Sequence, residues 1–361
     1  MWEQLTYDGP GQSRPYWVYT PESYQPGTPQ SRGTEAVPLL VMLHGCRQTP
    51  EDFAAGTRVN HLAEEQQFIV VYPKQPSQHN RHRCWNWFLP EHQARDQGEP
   101  ASIVGIIQSI RATSERWTID PSRIYAAGIS AGGAMAAILG ATYPDLFAAI
   151  GIHSGVAYQA ATSVHAGLRV MQAGGAHPEE HGQAAYEAMG RFARVVPTIV
   201  FQGTGDYIVA PGNGEQVVQQ WMQTNRLASR GSYNPDYTKP DRLITGQAPR
   251  GRSYTVQVWN DAAGNDVQAY WQIAGMGHAW SGGSYSGSYS DPKGPDASLA
   301  LLQFFLAHPM PALAAPLVAP ASAVPFCLRV PGNSPTHEDL WARILQTPSK
   351  LLHRLRKPEG I

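Results

Sequence analysis

Apolar residues in this chain fall into short, nearly unbroken runs separated by stretches of helical spacing. Leu39-Leu40-Val41-Met42-Leu43, Phe68-Ile69-Val70-Val71-Tyr72, Arg123-Ile124-Tyr125-Ala126-Ala127, Phe147-Ala148-Ala149-Ile150-Gly151-Ile152 and Pro197-Thr198-Ile199-Val200-Phe201-Gln202 each read as a strand covered on both faces. Residues 51–67, 103–117, 134–139 and 214–225 carry helical patterns between or after them. Strand and helix in alternation predict an α/β fold: a doubly wound, mostly parallel sheet with helices on both faces. An alternating strand at 14–20 precedes this block, followed by a turn-rich loop at 21–38. A hairpin at 253–259 and 267–273, turning through 260–265, and a helix at 297–307 follow it. Residues 226–252 are polar and rich in Gly, Pro and Tyr; they yield no clear element and are expected to cover one edge of the site.

The pattern changes at residue 309. Pro309, Pro311, Pro316, Pro320 and Pro325 punctuate an Ala-rich stretch, so 309–335 is read as a linker behind a domain of residues 1–308. Residues 336–361 form a basic amphipathic tail of short helices, with Leu340, Trp341, Ile344 and Leu345 followed by Leu351, Leu352 and Leu355 among Lys350, Arg354, Arg356 and Lys357. Two readings of the tail stand side by side: a solvated appendage, or attachment to a surface such as a polymer granule. No internal repeat is present.

Composition narrows the function classes. With 361 residues, 42% hydrophobic and 15% charged, the chain can bury a full core. Lys and Arg number 27 against 28 Asp and Glu, so no overall field draws it to nucleic acid or anionic membrane. No run is long and apolar enough to span a membrane, and the N-terminus lacks the pattern of a secretory signal. A cytoplasmic location is the expectation, with an extracellular one as the alternative. Three cysteines form neither a disulfide scaffold nor a zinc site; a Cys46–Cys84 bridge is left open and would suit only an oxidising compartment.

The chemistry centres on Gly128-Ile129-Ser130-Ala131-Gly132-Gly133, set between a strand and a helix. Gly-x-Ser-x-Gly in that setting is a nucleophile elbow, where flanking glycines admit a tight turn and the helix N-terminus faces a developing negative charge. A plain serine helix cap is the competing reading. A serine hydroxyl needs a base, and the base needs a carboxylate to hold it; on such folds the order is Ser, acid, His. Asp206, on a glycine-loosened loop after the strand ending at Gln202, fits the acid. Of 13 histidines, only His278, His308, His337 and His353 follow it, and His278 lies on a loop behind the hairpin's second strand. His44 and His153 come too early. The N–H groups of Ala131 and of Cys46, in His44-Gly45-Cys46, are the expected oxyanion donors.

Taken together, His44-Gly45-Cys46-Arg47-Gln48, Tyr72-Pro73, Cys84-Trp85-Asn86-Trp87, Asp120-Pro121-Ser122-Arg123, the elbow, Tyr143-Pro144-Asp145-Leu146-Phe147, Asp206 and Gly277-His278-Ala279-Trp280 resemble polyhydroxybutyrate depolymerase-type esterases, relatives of feruloyl and acetylxylan esterases in the α/β-hydrolase group. The resemblance runs over roughly residues 14–308. It implies an α/β-hydrolase fold and ester hydrolysis by Ser130, Asp206 and His278, with no cofactor and no metal. The substrate it implies is poly(3-hydroxybutyrate) or its oligomers, or alternatively feruloyl or acetyl groups on plant polysaccharide. Trp85, Asn86, Trp87 and Trp280, by their place on loops, are expected to line the substrate cleft, with packing into the core as the alternative for the three tryptophans. A binding protein on an inherited hydrolase fold is the reading from another class, disfavoured by the intact Ser, Asp, His order.

Overall fold

A computed structural model describes residues 1–10, 12–25, 36–175 and 177–311 of the chain. Strand β1 (Trp2–Tyr7) pairs antiparallel with β2 (Arg14–Tyr19), and β3 (Val37–Leu43) opens the parallel core. The helical pattern over 51–67 divides into α1 (Pro50–Thr57) and α2 (Val59–Gln66), because Arg58 between them takes a left-handed conformation with φ 58°. Next come β4 (Ile69–Pro73), α3 (Gly98–Ala112), β5 (Ile119–Ile129), α4 (Ala131–Thr142) and β6 (Ala149–His153). Helix α3 starts and stops about five residues earlier than its apolar spacing predicts. Its first turn carries Pro100 inside the helix, where a missing N–H is harmless.

Two helices, α5 (Val164–Ala173) and α6 (Pro178–Met189), precede β7 (Thr198–Gly203) and α7 (Gly212–Ala228). The polar stretch 226–252 ends in a strand, β8 (Arg242–Gln247), followed by the predicted hairpin β9 (Ser253–Asn260) and β10 (Asp266–Ile273) and by α8 (Ala297–Leu306). Among the described residues the main sheet has ten strands, in the order β1-β2-β4-β3-β5-β6-β7-β10-β9-β8. From β4 to β10 all neighbours are parallel, with antiparallel strands at either end.

Strand β8 is the edge strand farthest from β1. None of residues 226–252 lines the cavity described below, contrary to the expectation that they cover one edge of the site. The linker and the tail fall outside the described residues from 312 onward.

Alternate residues of the parallel strands feed two apolar layers. Val41, Ile124 and Ala126 pack with Ile107, Met135 and Trp221 on one face, while Leu40, Met42, Tyr125 and Ala127 pack with Phe53, Leu301 and Phe305 on the other. Every residue of α4 is buried, and its Ala- and Gly-rich sequence lets the helix approach the sheet closely. The chain runs from β3 outward to β4 and then back past β3 to β5, so strand order reverses between β3 and β5. A crevice outside the carboxyl ends of those two strands is where doubly wound sheets bind ligands. The His44 loop and the elbow both emerge there. Among the described residues no helix is long and apolar enough to cross a membrane.

Candidate active site

Register places the elbow between two other loops. Leu43 pairs with Gly128, Gly128 with Ile152 and Ile129 with His153, so residues 44–48, 130–132 and 153–155 leave the sheet side by side. Ser130 has φ 58° and ψ −122°, a region that a non-glycine residue occupies only when its surroundings fix it. They do: its N–H donates to His153 O at 2.9 Å, and its carbonyl accepts from Ala134 N at 3.0 Å. A Cβ on Gly132 would lie 2.0 Å from Leu43 O, and one on Gly128 would lie 2.5 Å from the same oxygen. Only glycine lets β3 and α4 come this close. The glycines flanking Ser130 thus set its backbone.

Asp206 and His278 are brought together by sheet pairing across 72 residues of chain. Gln202 and Gly203 of β7 face Gln272 and Ile273 of β10, so the loops beyond them leave in parallel. Gly205 N donates to Met276 O at 3.0 Å and Gly275 N to Thr204 Oγ1 at 2.8 Å, stitching the two loops. His278 Nδ1 then lies 2.8 Å from Asp206 Oδ2. Asp206 Oδ1 accepts from the N–H groups of Ile208 and Val209, both at 2.9 Å. Burial by itself raises a carboxyl pKa, but the bond to His278 and these two amides outweigh it and hold Asp206 below its ordinary value. The carboxylate therefore stays ionised, accepts the Nδ1 proton and leaves Nε2 free to act as a base.

A cavity of about 320 Å³ opens over Ser130 and His278. Met171, Ile208 and Tyr289 contribute to its lining, as do Cys46 and Arg47 from the loop after β3 and His82 from the loop after β4. Among the described residues, neither Cys46 N–H nor Ala131 N–H donates to a protein acceptor. The neighbouring Gly45 N–H is taken by Gln48 Oε1 at 2.9 Å. Two free donors beside a strained serine can hold a negative oxygen.

His44 and His153 sit behind this arrangement and not in it. His44 Nδ1 donates to Gly45 O at 2.8 Å and its Nε2 accepts from Gln75 N at 3.1 Å. His153 Nε2 accepts from Ser281 N at 3.1 Å, and its ring stacks between Phe201 and Trp280. Burial drives both rings toward the neutral form, His44 to a pKa of about 4 and His153 to about 3, the latter pressed further by the charge of His278. Each is a neutral ring that fixes a loop: His44 the segment carrying Cys46 N–H, and His153 the segment after His278, while its carbonyl holds the elbow.

The four residues expected along the cleft are elsewhere. Trp85, Trp87 and Trp280 are buried in the core, and Asn86 is buried beside them. None lines the cavity. Three of them are held by hydrogen bonds: Trp85 Nε1 donates to His44 O at 3.0 Å, Trp280 Nε1 to Ser298 Oγ at 2.9 Å, and Asn86 N and Nδ2 to the two Glu99 oxygens, each at 2.8 Å. Glu99 in turn accepts from Gln75, whose side-chain oxygen accepts from the buried Arg14. The aromatic loop is thus a scaffold for the His44 segment. Spacing along the chain offered no sign of this, because Arg14, Gln75 and Glu99 meet only through the fold. Cys46 and Cys84 are joined in a disulfide that ties the same two loops.

Comparison with known proteins gives a consistent set of likenesses. A family model described as esterase PHB depolymerase matches residues 22–234. Over 243 residues the chain is 34% identical to poly(3-hydroxyalkanoate) depolymerase C of Paucimonas lemoignei, covering 67% of this chain and 54% of that protein. Over 191 residues it is 30% identical to feruloyl esterase B of Thermothelomyces thermophilus, covering 51% and 64%. The chain therefore spans between about half and two thirds of the length of these relatives. Among solved structures, an acetyl xylan esterase from Aspergillus awamori superimposes with a TM-score of 0.62 at 22% identity, over 77% of this chain and 94% of that one. That likeness shows the α/β-hydrolase fold.

Proposed function

The chain belongs to the esterase PHB depolymerase family, and from that premise we propose that it is a serine carboxylesterase that hydrolyses poly(3-hydroxybutyrate) or its oligomers. The observation that carries the reading is the meeting of three groups at one cavity: Ser130 in a strained elbow, His278 beside it, and Asp206 bonded to His278 at 2.8 Å. His278 takes the Ser130 proton as Oγ attacks the ester carbonyl. The N–H groups of Cys46 and Ala131 receive the oxyanion. His278 returns the proton to the leaving alcohol, and water then releases the acyl group by the same steps in reverse order.

A polyester substrate is supported by the depolymerase relative, which is more similar and matches more of this chain than the feruloyl esterase does. The feruloyl esterase relative favours a second reading, hydrolysis of aromatic or acetyl esters on polysaccharide. The two separate on one panel: 3-hydroxybutyrate release from amorphous polymer and from short oligomers, against ferulate and acetate release from their esters. Turnover of the hydroxyalkanoates at least tenfold above the others is expected; the opposite ranking would transfer the assignment to the second reading. The Cys46–Cys84 bridge supports an oxidising compartment, against the cytoplasmic expectation.

A further inference from the structure

Building on the hydrolase reading above, we infer that Arg47 makes this site selective for esters that carry a free carboxylate at one end, as linear hydroxy-acid oligomers do. The cavity has a mixed lining: Met171 and Ile208 are apolar, whereas Arg47 brings a full positive charge. Arg47 is exposed to solvent. Among the described residues no carboxylate lies within ion-pair distance of Arg47, nor of Arg81 or Arg83 on the adjoining loop. Asp52, on the helix after Arg47, is engaged by Ser288 N at 2.9 Å and by Gln48 Nε2 at 3.2 Å. In a chain of formal net charge −1 this is a local excess of positive charge with no carboxylate paired to it among the described residues.

The loops are built to keep that charge in place. Arg47 and Arg83 are both left-handed, with φ 67° and 55°. Such residues persist only where neighbours fix them, and here each loop fixes the other. Arg47 N donates to His82 O at 2.7 Å, Arg83 Nη2 donates to Arg47 O at 2.5 Å, and the Cys46–Cys84 bridge joins the same segments. Arg47 also directly follows Cys46, whose N–H is assigned to the oxyanion, so its backbone is anchored one residue from that donor while its side chain lines the same cavity as Ser130. A planar guanidinium is suited to a carboxylate, which it can hold by two charge-assisted hydrogen bonds.

With such a substrate the acyl part forms its bond to Ser130 Oγ as the ester C–O bond breaks. The serine proton passes through His278 to the departing alkoxide, and the departing hydroxy acid carries the carboxylate held by Arg47. Hydrolysis of the acyl-enzyme consumes one water. No other reactant is needed.

The test compares kcat/KM for a linear 3-hydroxybutyrate trimer as its free acid and as its methyl ester, in the wild-type protein and in Arg47→Gln, at low and raised ionic strength. The expected result is a preference of about tenfold for the acid in the wild type, shrinking as salt is added and falling toward one in Arg47→Gln. Equal use of acid and methyl ester by the wild type, or an unchanged ratio in the variant, would overturn the assignment of Arg47 while the hydrolase reading stood. Failure of the wild type to cleave either trimer would instead remove the hydroxyalkanoate reading. A wild-type ratio of one overturns the assignment even if the variant does not fold.

Discussion

His44 and His153 show what a buried histidine does when it is not the base. Each accepts a backbone N–H through Nε2, a role open only to the neutral ring. Their pKa values of about 4 and about 3 lie below the ordinary 6.5 because burial penalises the charged form. Between those limits the unfolded chain binds protons that the folded chain does not, so stability falls as pH drops from about 6.5 toward 4. The slope is about 1.4 kcal/mol per pH unit for each ring. Asp206 adds its loss at lower pH still, since its carboxyl is held below the ordinary value. Urea midpoints measured from pH 7 to 4.5 should decline steadily, and a flat midpoint across that window would contradict the neutral assignment of both rings. At this scale the sequence was readable for the loop positions of Ser130, Asp206 and His278, and the structure places Asp206 against His278 and lines one cavity with Ser130 and His278. It was not readable for Trp85, Asn86, Trp87 and Trp280, because an aromatic in a loop looks the same whether it faces a cleft or anchors the loop from beneath.

Strand β3, strand β5 and helix α4 form one unit whose spacing sets the site. Gly132 is the contact point, since a Cβ there meets Leu43 O at 2.0 Å with backbone on both sides. Gly132→Ala is expected to cost about 1–3 kcal/mol of stability through overpacking. Relief must come from moving β3, which carries His44 and Cys46, or α4, which carries Ala131. Turnover should therefore fall by more than the loss of folded protein explains. Thermal unfolding and kcat/KM on the same samples check this; a variant with lowered stability but full specific activity would separate the elbow's packing from the oxyanion donors. The parallel strands were legible because runs buried on both faces have no polar alternation to confuse them. Helix α3 was misplaced and α5 and α6 went unassigned, because their ends are set by tertiary contacts. The break at Arg58 lies inside one continuous helical pattern and depends on a left-handed residue that is not glycine.

Across the whole molecule, the catalytic groups proposed here come from the ends of β3, β5, β7 and β10, and loops from both halves of the chain tie them together. The Cys46–Cys84 bridge closes a span of 38 residues, for which the chain-entropy argument gives about 4 kcal/mol of stabilisation. It fastens the loop of Cys46, the proposed second oxyanion donor, to the aromatic segment that Arg14 and Glu99 support. The site is thus a product of the whole sheet's topology, with Ser130 and His278 lining one cavity. The central claim is that His278 and Asp206 activate this serine. It is tested most directly by treating the folded protein with a fluorophosphonate probe and mapping the adduct by peptide mass spectrometry. A single stoichiometric adduct on Ser130 is expected, absent in Ser130→Ala and slowed at least a hundredfold in His278→Ala; labelling elsewhere, or labelling of Ser130 at the same rate without His278, would contradict it.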